Sequence, residues 1–179
     1  MTPRQNDSAP GAIVDDVERA LSHMPCWYVS CGGSAASSFE LALGAKIPRD
    51  EIAVPPGCPI TEFDRFQGET NLLVWCSWRL DGGDSPLTSS DDTMEHLTAG
   101  LRRLVGERTL EAKVDLPGWD LQIPFTNDLR LRIFCDHLPG EPSFDGNWDL
   151  FLPDRTISIN VGCICTIEPR SSRDKKKGN

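Results

Sequence analysis

From residue 106 onward the chain alternates apolar and polar positions with few breaks. Leu110, Ala112, Val114 and Leu116 are interleaved with Thr109, Glu111, Lys113 and Asp115. Trp119, Leu121, Ile123 and Phe125 follow, then Leu129, Leu131, Ile133 and Cys135 with Arg130 and Arg132 between them. Trp148, Leu150 and Leu152 precede a last run of Ile157, Ile159, Val161, Cys163, Cys165 and Ile167, in which only Ile164 spoils the polar side. Neighbouring residues of a strand face opposite ways, so this period of two predicts antiparallel strands buried on one face and polar on the other. Pro117-Gly118, Thr126-Asn127-Asp128 and Pro153-Asp154-Arg155 supply the turns. Connections this short predict a C-terminal meander of neighbouring strands. Two of the strands share a start, since Trp-Asp-Leu-x-(Ile/Leu)-Pro occurs at Trp119 and again at Trp148.

The first hundred residues are less regular. Ile13, Val17, Ala20, Leu21 and Met24 fall at helical spacing, with Asp15, Asp16, Glu18 and Arg19 mostly opposite, which predicts an amphipathic helix stopped before Pro25. Its early acids suit the positive end of the helix dipole. Residues 26–31 predict a strand with Trp27, Val29 and Cys31 on one face, and Phe39, Leu41 and Leu43 its hairpin partner. Residues 45–70 lack periodicity and hold four prolines, so they read as a long loop and a candidate contact surface. Residues 71–80, with Leu73, Val74, Trp75 and Trp78, predict a central strand covered on both faces, ended at Asp81-Gly82-Gly83-Asp84. Asp92 and Glu95 have capping-box spacing ahead of a helical stripe of Met94, Leu97, Leu101, Leu104 and Val105, and Gly106 fits a left-handed cap. The expected fold is thus α+β, a mostly antiparallel sheet of about seven or eight strands packed with two helices. Residues 11–168 form its single domain, between a disordered N-terminus (1–10) and a basic, disordered tail (169–179).

Composition bounds the chemistry. At 179 residues the chain can bury a core without metal or disulfide support. Net charge is −9, yet Arg170, Arg173, Lys175, Lys176 and Lys177 stand against only Asp174 at the end, leaving a body near −13. Such a body repels nucleic-acid phosphates and anionic lipid, and attracts basic proteins. The start of the chain leads into no apolar run, and no stretch reaches the roughly 20 apolar residues that cross a bilayer, so no secretory signal or membrane span is expected. Seven cysteines, an odd number, fit free thiols in a reducing cytoplasm.

Motifs that could carry catalysis or bind metal are incomplete. Cys135-Asp136-His137 gathers a thiol, a carboxylate and an imidazole, but Cys135 continues the apolar face of Leu131 and Ile133. Cys31-Gly32-Gly33-Ser34 offers a nucleophile on a turn without the Gly-x-Ser-x-Gly elbow, and reads as a hairpin turn. Cys163 and Cys165 would place their sulfurs on one strand face about 7 Å apart, awkward for one tetrahedral zinc ion, and His23, His96 and His137 are isolated. No phosphate-loop, dinucleotide or EF-hand spacing occurs. No catalytic residue, metal or cofactor is expected. Trp119 and Trp148 read as core, and Asp120 and Asp149 as outward carboxylates able to meet Arg130 or Arg132.

Residues 106–168, through Asn147-Trp148-Asp149-Leu150 and Pro153-Asp154, resemble a loose group of small bacterial α+β proteins, some of immunity type. The resemblance implies a protein that neutralises a toxin by binding it, and brings no catalytic residue. The functional expectation is therefore a cytosolic, immunity-type or inhibitor-type protein whose acidic body recognises a basic protein partner. Its contact residues would be Asp81, Asp84, Asp91, Asp92 and Glu95, with Glu62 and Asp64 from the long loop and Phe144 and Asp145 from the Pro/Gly loop. A cysteine-dependent enzyme and a non-catalytic ligand-binding or scaffold domain are the alternatives.

Overall fold

The computed structural model describes residues 10–31, 37–49, 59–137, 139 and 146–170. Helix α1 (Pro10–Leu21) leads into β1 (Cys26–Cys31) and β2 (Phe39–Pro48). A single turn, α2 (Glu62–Arg65), precedes β3 (Phe66–Val74), β4 (Ser77–Gly82) and β5 (Ser85–Ser89). Helix α3 (Met94–Leu101) runs into a 3-10 turn at Arg102–Leu104. Then come β6 (Lys113–Asp115), β7 (Asp120–Pro124), β8 (Leu129–Phe134), β9 (Gly146–Phe151), β10 (Arg155–Asn160) and β11 (Ile164–Pro169). The α+β, antiparallel expectation holds, with eleven strands among the described residues rather than seven or eight.

The C-terminal strands do not form one meander. They divide between a six-stranded sheet ordered β1-β2-β3-β9-β10-β11 and a five-stranded sheet ordered β5-β4-β8-β7-β6. Both sheets turn their apolar faces into a single core, so the same alternation serves either one. The predicted central strand at 71–80 is likewise two strands, one in each sheet. Leu72, Val74, Cys76, Trp78 and Leu80 are all buried, so the inner face continues unbroken through the corner at Trp75-Cys76. A bend of this kind lets one segment switch sheets. The Asn147 carbonyl holds the corner, accepting from Trp75 N at 2.9 Å and Cys76 N at 3.2 Å.

The repeated tryptophans are core residues. Trp148 is fully buried, and its Nε1 donates to the Trp119 carbonyl at 3.0 Å, tying the two sheets together. Trp119 has φ 64°, an unusual value for a bulky side chain. Its carbonyl also accepts from the Cys135 thiol at 3.2 Å, so two donors hold the distorted backbone. Phe39 meets Trp78 edge to face at 5.1 Å between ring centroids.

Several local expectations change. α1 starts at Pro10, so Asp15 and Asp16 fall beyond its first turn and do not cap its dipole. A bulge between Cys26 and Tyr28 removes Trp27 from the inward series, leaving Val29 and Cys31 against the core. The final apolar run is a hairpin rather than one strand, turning through Cys163 at φ 60°. α3 is capped by Thr93 without a side-chain bond, because Asp92 turns back to accept from Ser89 N and Thr88 Oγ1, both at 2.9 Å. The true capping box joins Thr61 and Asp64 on α2. Gly106 takes the expected left-handed conformation at φ 94°.

Candidate functional site

Fold geometry gathers charge on the outer face of the five-stranded sheet. β4 turns Trp78 and Leu80 inward, which leaves Arg79 and Asp81 outward; β8 turns Leu131 and Ile133 inward, which leaves Arg130 and Arg132 outward. Register sets Asp81 opposite Arg130 and Arg79 opposite Arg132. With Gly83, Asp84, Ser85 and Pro86 they line a cleft of about 320 Å³. The Gly83 turn is pinned by a 3.0 Å bond from its N–H to the Asp128 carbonyl of the neighbouring turn.

Asp81 is the floor of this cleft. Its side chain is only 10% exposed, and it accepts from Arg79 Nε at 2.7 Å and Nη2 at 3.3 Å. Arg132 Nε lies 3.0 Å from Asp81 Oδ2 but off the line of a hydrogen bond, so this buried N–H is unsatisfied. Arg130 has no ion-pair or hydrogen-bond partner among the described residues. Two guanidinium groups directly opposite on neighbouring strands repel, and Arg79 and Arg132 have one carboxylate, Asp81, between them. Even with exposed Asp84 on the rim, the cleft keeps one positive charge in excess. The donor-rich face continues sideways, because Ser89, Arg79, Arg132, Gln122 and Lys113 occupy one cross-strand row.

The acidic residues expected to meet a basic partner are dispersed in their roles. Asp81 is consumed by the arginines. Asp92 closes the turn before α3, and its bonds from Ser89 and Thr88 hold its carboxyl below the usual range. Glu62 pairs with Lys46 at 2.5 Å. Asp64 belongs to the α2 capping box, whose Thr61 bonds lower its pKa. Asp84, Asp91 and Glu95 stay exposed. Phe144 and Asp145 lie outside the described residues. Within the predicted loop at 45–70, β2 extends to Pro48, β3 begins at Phe66, and Tyr28 stacks on Phe63 at 4.6 Å. Lys46 and Arg49 lie over the Trp27 and Phe63 rings at 5.0 and 4.8 Å.

Cys135 and His137 do not face each other as nucleophile and base. The Cys135 thiol donates to Trp119, while His137 Nδ1 lies 2.8 Å from the Gly146 carbonyl and its backbone N–H donates to Asn147 Oδ1 at 3.1 Å. Cys31 Sγ contacts Thr98 Oγ1 at 3.1 Å, and Gly32, Gly33 and Ser34 lie outside the described residues. Asp120 and Asp149 do not meet Arg130 or Arg132. Asp120 accepts from Cys135 N at 2.7 Å, and Asp149 from Trp75 Nε1 at 3.1 Å. Among the described residues no group of three or more His, Cys, Asp or Glu side chains is placed to hold a metal ion. No described helix is long and apolar enough to cross a membrane.

The arginine cleft escaped sequence reasoning. The outward placement of Arg130 and Arg132 is readable from the alternation. What brings them to Arg79 is the pairing of β4 with β8, about fifty residues apart, for which the sequence carries no local signal. Comparison with protein-family models, with curated proteins and with solved structures finds no match to this chain.

Proposed function

We propose that this chain is a non-catalytic binding domain whose arginine cleft receives an anionic group, a carboxylate or phosphate, of its ligand. The observation that carries this reading is the cleft floor, where Arg79 and Arg132 share one buried carboxylate and Arg130 beside them has no partner among the described residues. Arginine presents a planar fork of donors that matches both anions, and charge-assisted bonds of this kind contribute about 1.5–3 kcal/mol each. A volume of about 320 Å³ is at the small end of ligand sites. Inorganic phosphate and acetate, titrated separately against the folded chain, should move the Arg79, Arg130 and Arg132 Nε–H resonances. Arg130→Gln should weaken that response roughly tenfold or more, and added chloride should compete. Arginine resonances that stay fixed for both anions would refute it.

A second reading, favoured by the exposed acids Asp84, Asp91 and Glu95, keeps an immunity-type protein in the cytoplasm that docks on a basic protein partner. Free thiols at all six described cysteines fit that setting. Its association would slow with salt and on neutralising those three acids together. Arg130→Gln would leave this docking unaltered, which separates the two readings.

A further inference from the structure

Three thiols meet near the junction of the two sheets, away from the arginine cleft. Cys76 sits in the bend between β3 and β4, Cys135 follows β8, and Cys163 lies in the turn from β10 to β11. Ser77 pairs with Phe134, so the next step along the antiparallel ladder sets Cys76 opposite Cys135. Trp78 turns its carbonyl to Ser90 N, away from β8, which makes Trp78 and Ile133 a non-hydrogen-bonded pair. Two residues on, Cys76 and Cys135 have the same relation. Their amides confirm it: Cys76 N donates to Asn147 and Cys135 N to Asp120. Such pairs hold their Cα atoms about 4.5 Å apart, within the roughly 4.4–6.8 Å that a disulfide spans. The Cys135 thiol is close enough to Cys76 to perturb its titration. Cys163 instead reaches the Cys135 backbone, with Sγ 3.6 Å from its carbonyl oxygen.

We propose that Cys76 and Cys135 form an oxidation site, closed to an intramolecular disulfide by a small peroxide. Cys135 is half-buried and meets the oxidant first, while Cys76 is 1% exposed. The Cys135 thiolate attacks one peroxide oxygen; the O–O bond breaks and hydroxide leaves, taking up the thiol proton as water. The Cys76 sulfur then attacks the sulfenic sulfur. The S–S bond forms, the S–O bond breaks, and the departing hydroxide leaves as water with the Cys76 proton. Two electrons pass from the thiols to the peroxide. The neighbouring Cys135 thiol, and then burial, push the Cys76 thiol up, which leaves the first step to Cys135.

The test uses the folded full chain treated with hydrogen peroxide, then denatured, alkylated and cut with trypsin. Cys76 and Cys135 fall in separate peptides, 66–79 and 133–155, and Cys163 falls with Cys165 in 156–170, so a Cys76–Cys135 link is assigned directly and fragmentation distinguishes Cys163 from Cys165. The expected result is a 66–79 to 133–155 cross-link, reversed by dithiothreitol and retained in Cys163→Ser. In Cys76→Ser the same treatment should leave Cys135 as a sulfenic acid that a dimedone probe captures. A link from Cys135 to Cys163, an over-oxidised Cys135 beside an alkylatable Cys76, or unreacted thiols at both positions would each overturn the proposal.

Discussion

The Trp119 carbonyl is the acceptor on which both sheets converge, and Trp148→Phe tests what that convergence contributes. The substitution removes the Nε1 donor, worth about 1 kcal/mol. It also empties the space of the distal six-membered ring of a fully buried indole. The lost apolar transfer is worth roughly 1–2 kcal/mol, and a residual void of roughly 40 Å³ adds about 1 kcal/mol. The expected loss is therefore about 3–4 kcal/mol, read as a lower urea midpoint with unchanged m in far-ultraviolet circular dichroism. Cys135→Ala alone should cost much less, because the Trp148 donor remains on the carbonyl. Together the two changes leave a buried acceptor with neither donor, at an added penalty of about 1–3 kcal/mol. The double variant should thus lose at least about 1 kcal/mol more than the single losses combined. Strict additivity, or a Trp148→Phe loss under 1 kcal/mol, would mean that this carbonyl does not fasten the sheets.

Other expectations probe separate features. Gly100 lets α3 lie against β5, because a Cβ there would stand 2.2 Å from Thr88 Cγ2; Gly100→Ala should cost about 1–3 kcal/mol, and adding Thr88→Ser, which keeps the hydroxyl bond to Asp92, should recover part of it by thermal melting. Burial pushes the Glu40 carboxyl up despite Arg49 and the Asn71 bond. The folded state then holds its proton more tightly than the unfolded one, so stability falls as pH rises through the raised value. Glu40→Gln should accordingly stabilise the protein at neutral pH and have no effect well below the ordinary carboxylate range, as seen in urea midpoints at both pH values. Glu107 has the opposite sign: bonds from Thr126 and Asn127 lower its pKa, so its contribution is present above the ordinary carboxylate range and lost as pH falls through the lowered value. Glu107→Gln should flatten the acid limb of the stability profile by lowering the neutral value, while leaving stability well below the ordinary carboxylate range nearly unchanged.

Alternation along the chain revealed inward and outward residues well, and sheet membership poorly. Trp119, Leu121, Ile123, Leu129, Leu131, Ile133, Trp148, Leu150, Ile157 and Ile159 are all buried as the period of two required. Nothing in that period distinguishes β7 and β8, in one sheet, from β9 and β10, in the other, because both sheets face the same core. The corner at Trp75-Cys76 was hidden for the same reason, since its inward series never breaks. Asp92 misled because its spacing to Glu95 is that of a cap, while the nearer donors of Ser89 and Thr88 claim its carboxylate. The arginine cleft was legible only in half. Each arginine's outward direction followed from its strand, but the pairing of β4 with β8 that joins them is a long-range choice made by the whole core.

How the sheets end also limits what the molecule can do in a crowd. A bare strand rim invites another chain to extend the ladder, the route to polymerisation. β5 carries Pro86, which has no N–H to offer, β6 is only three residues long, and β1 is kinked by its bulge. β11 is different: it pairs with β10 along its whole length and displays Ile164 at 55% exposure. Unwanted fibre growth would therefore start along one rim of the larger sheet, the one from which the lysine-bearing C-terminal segment departs.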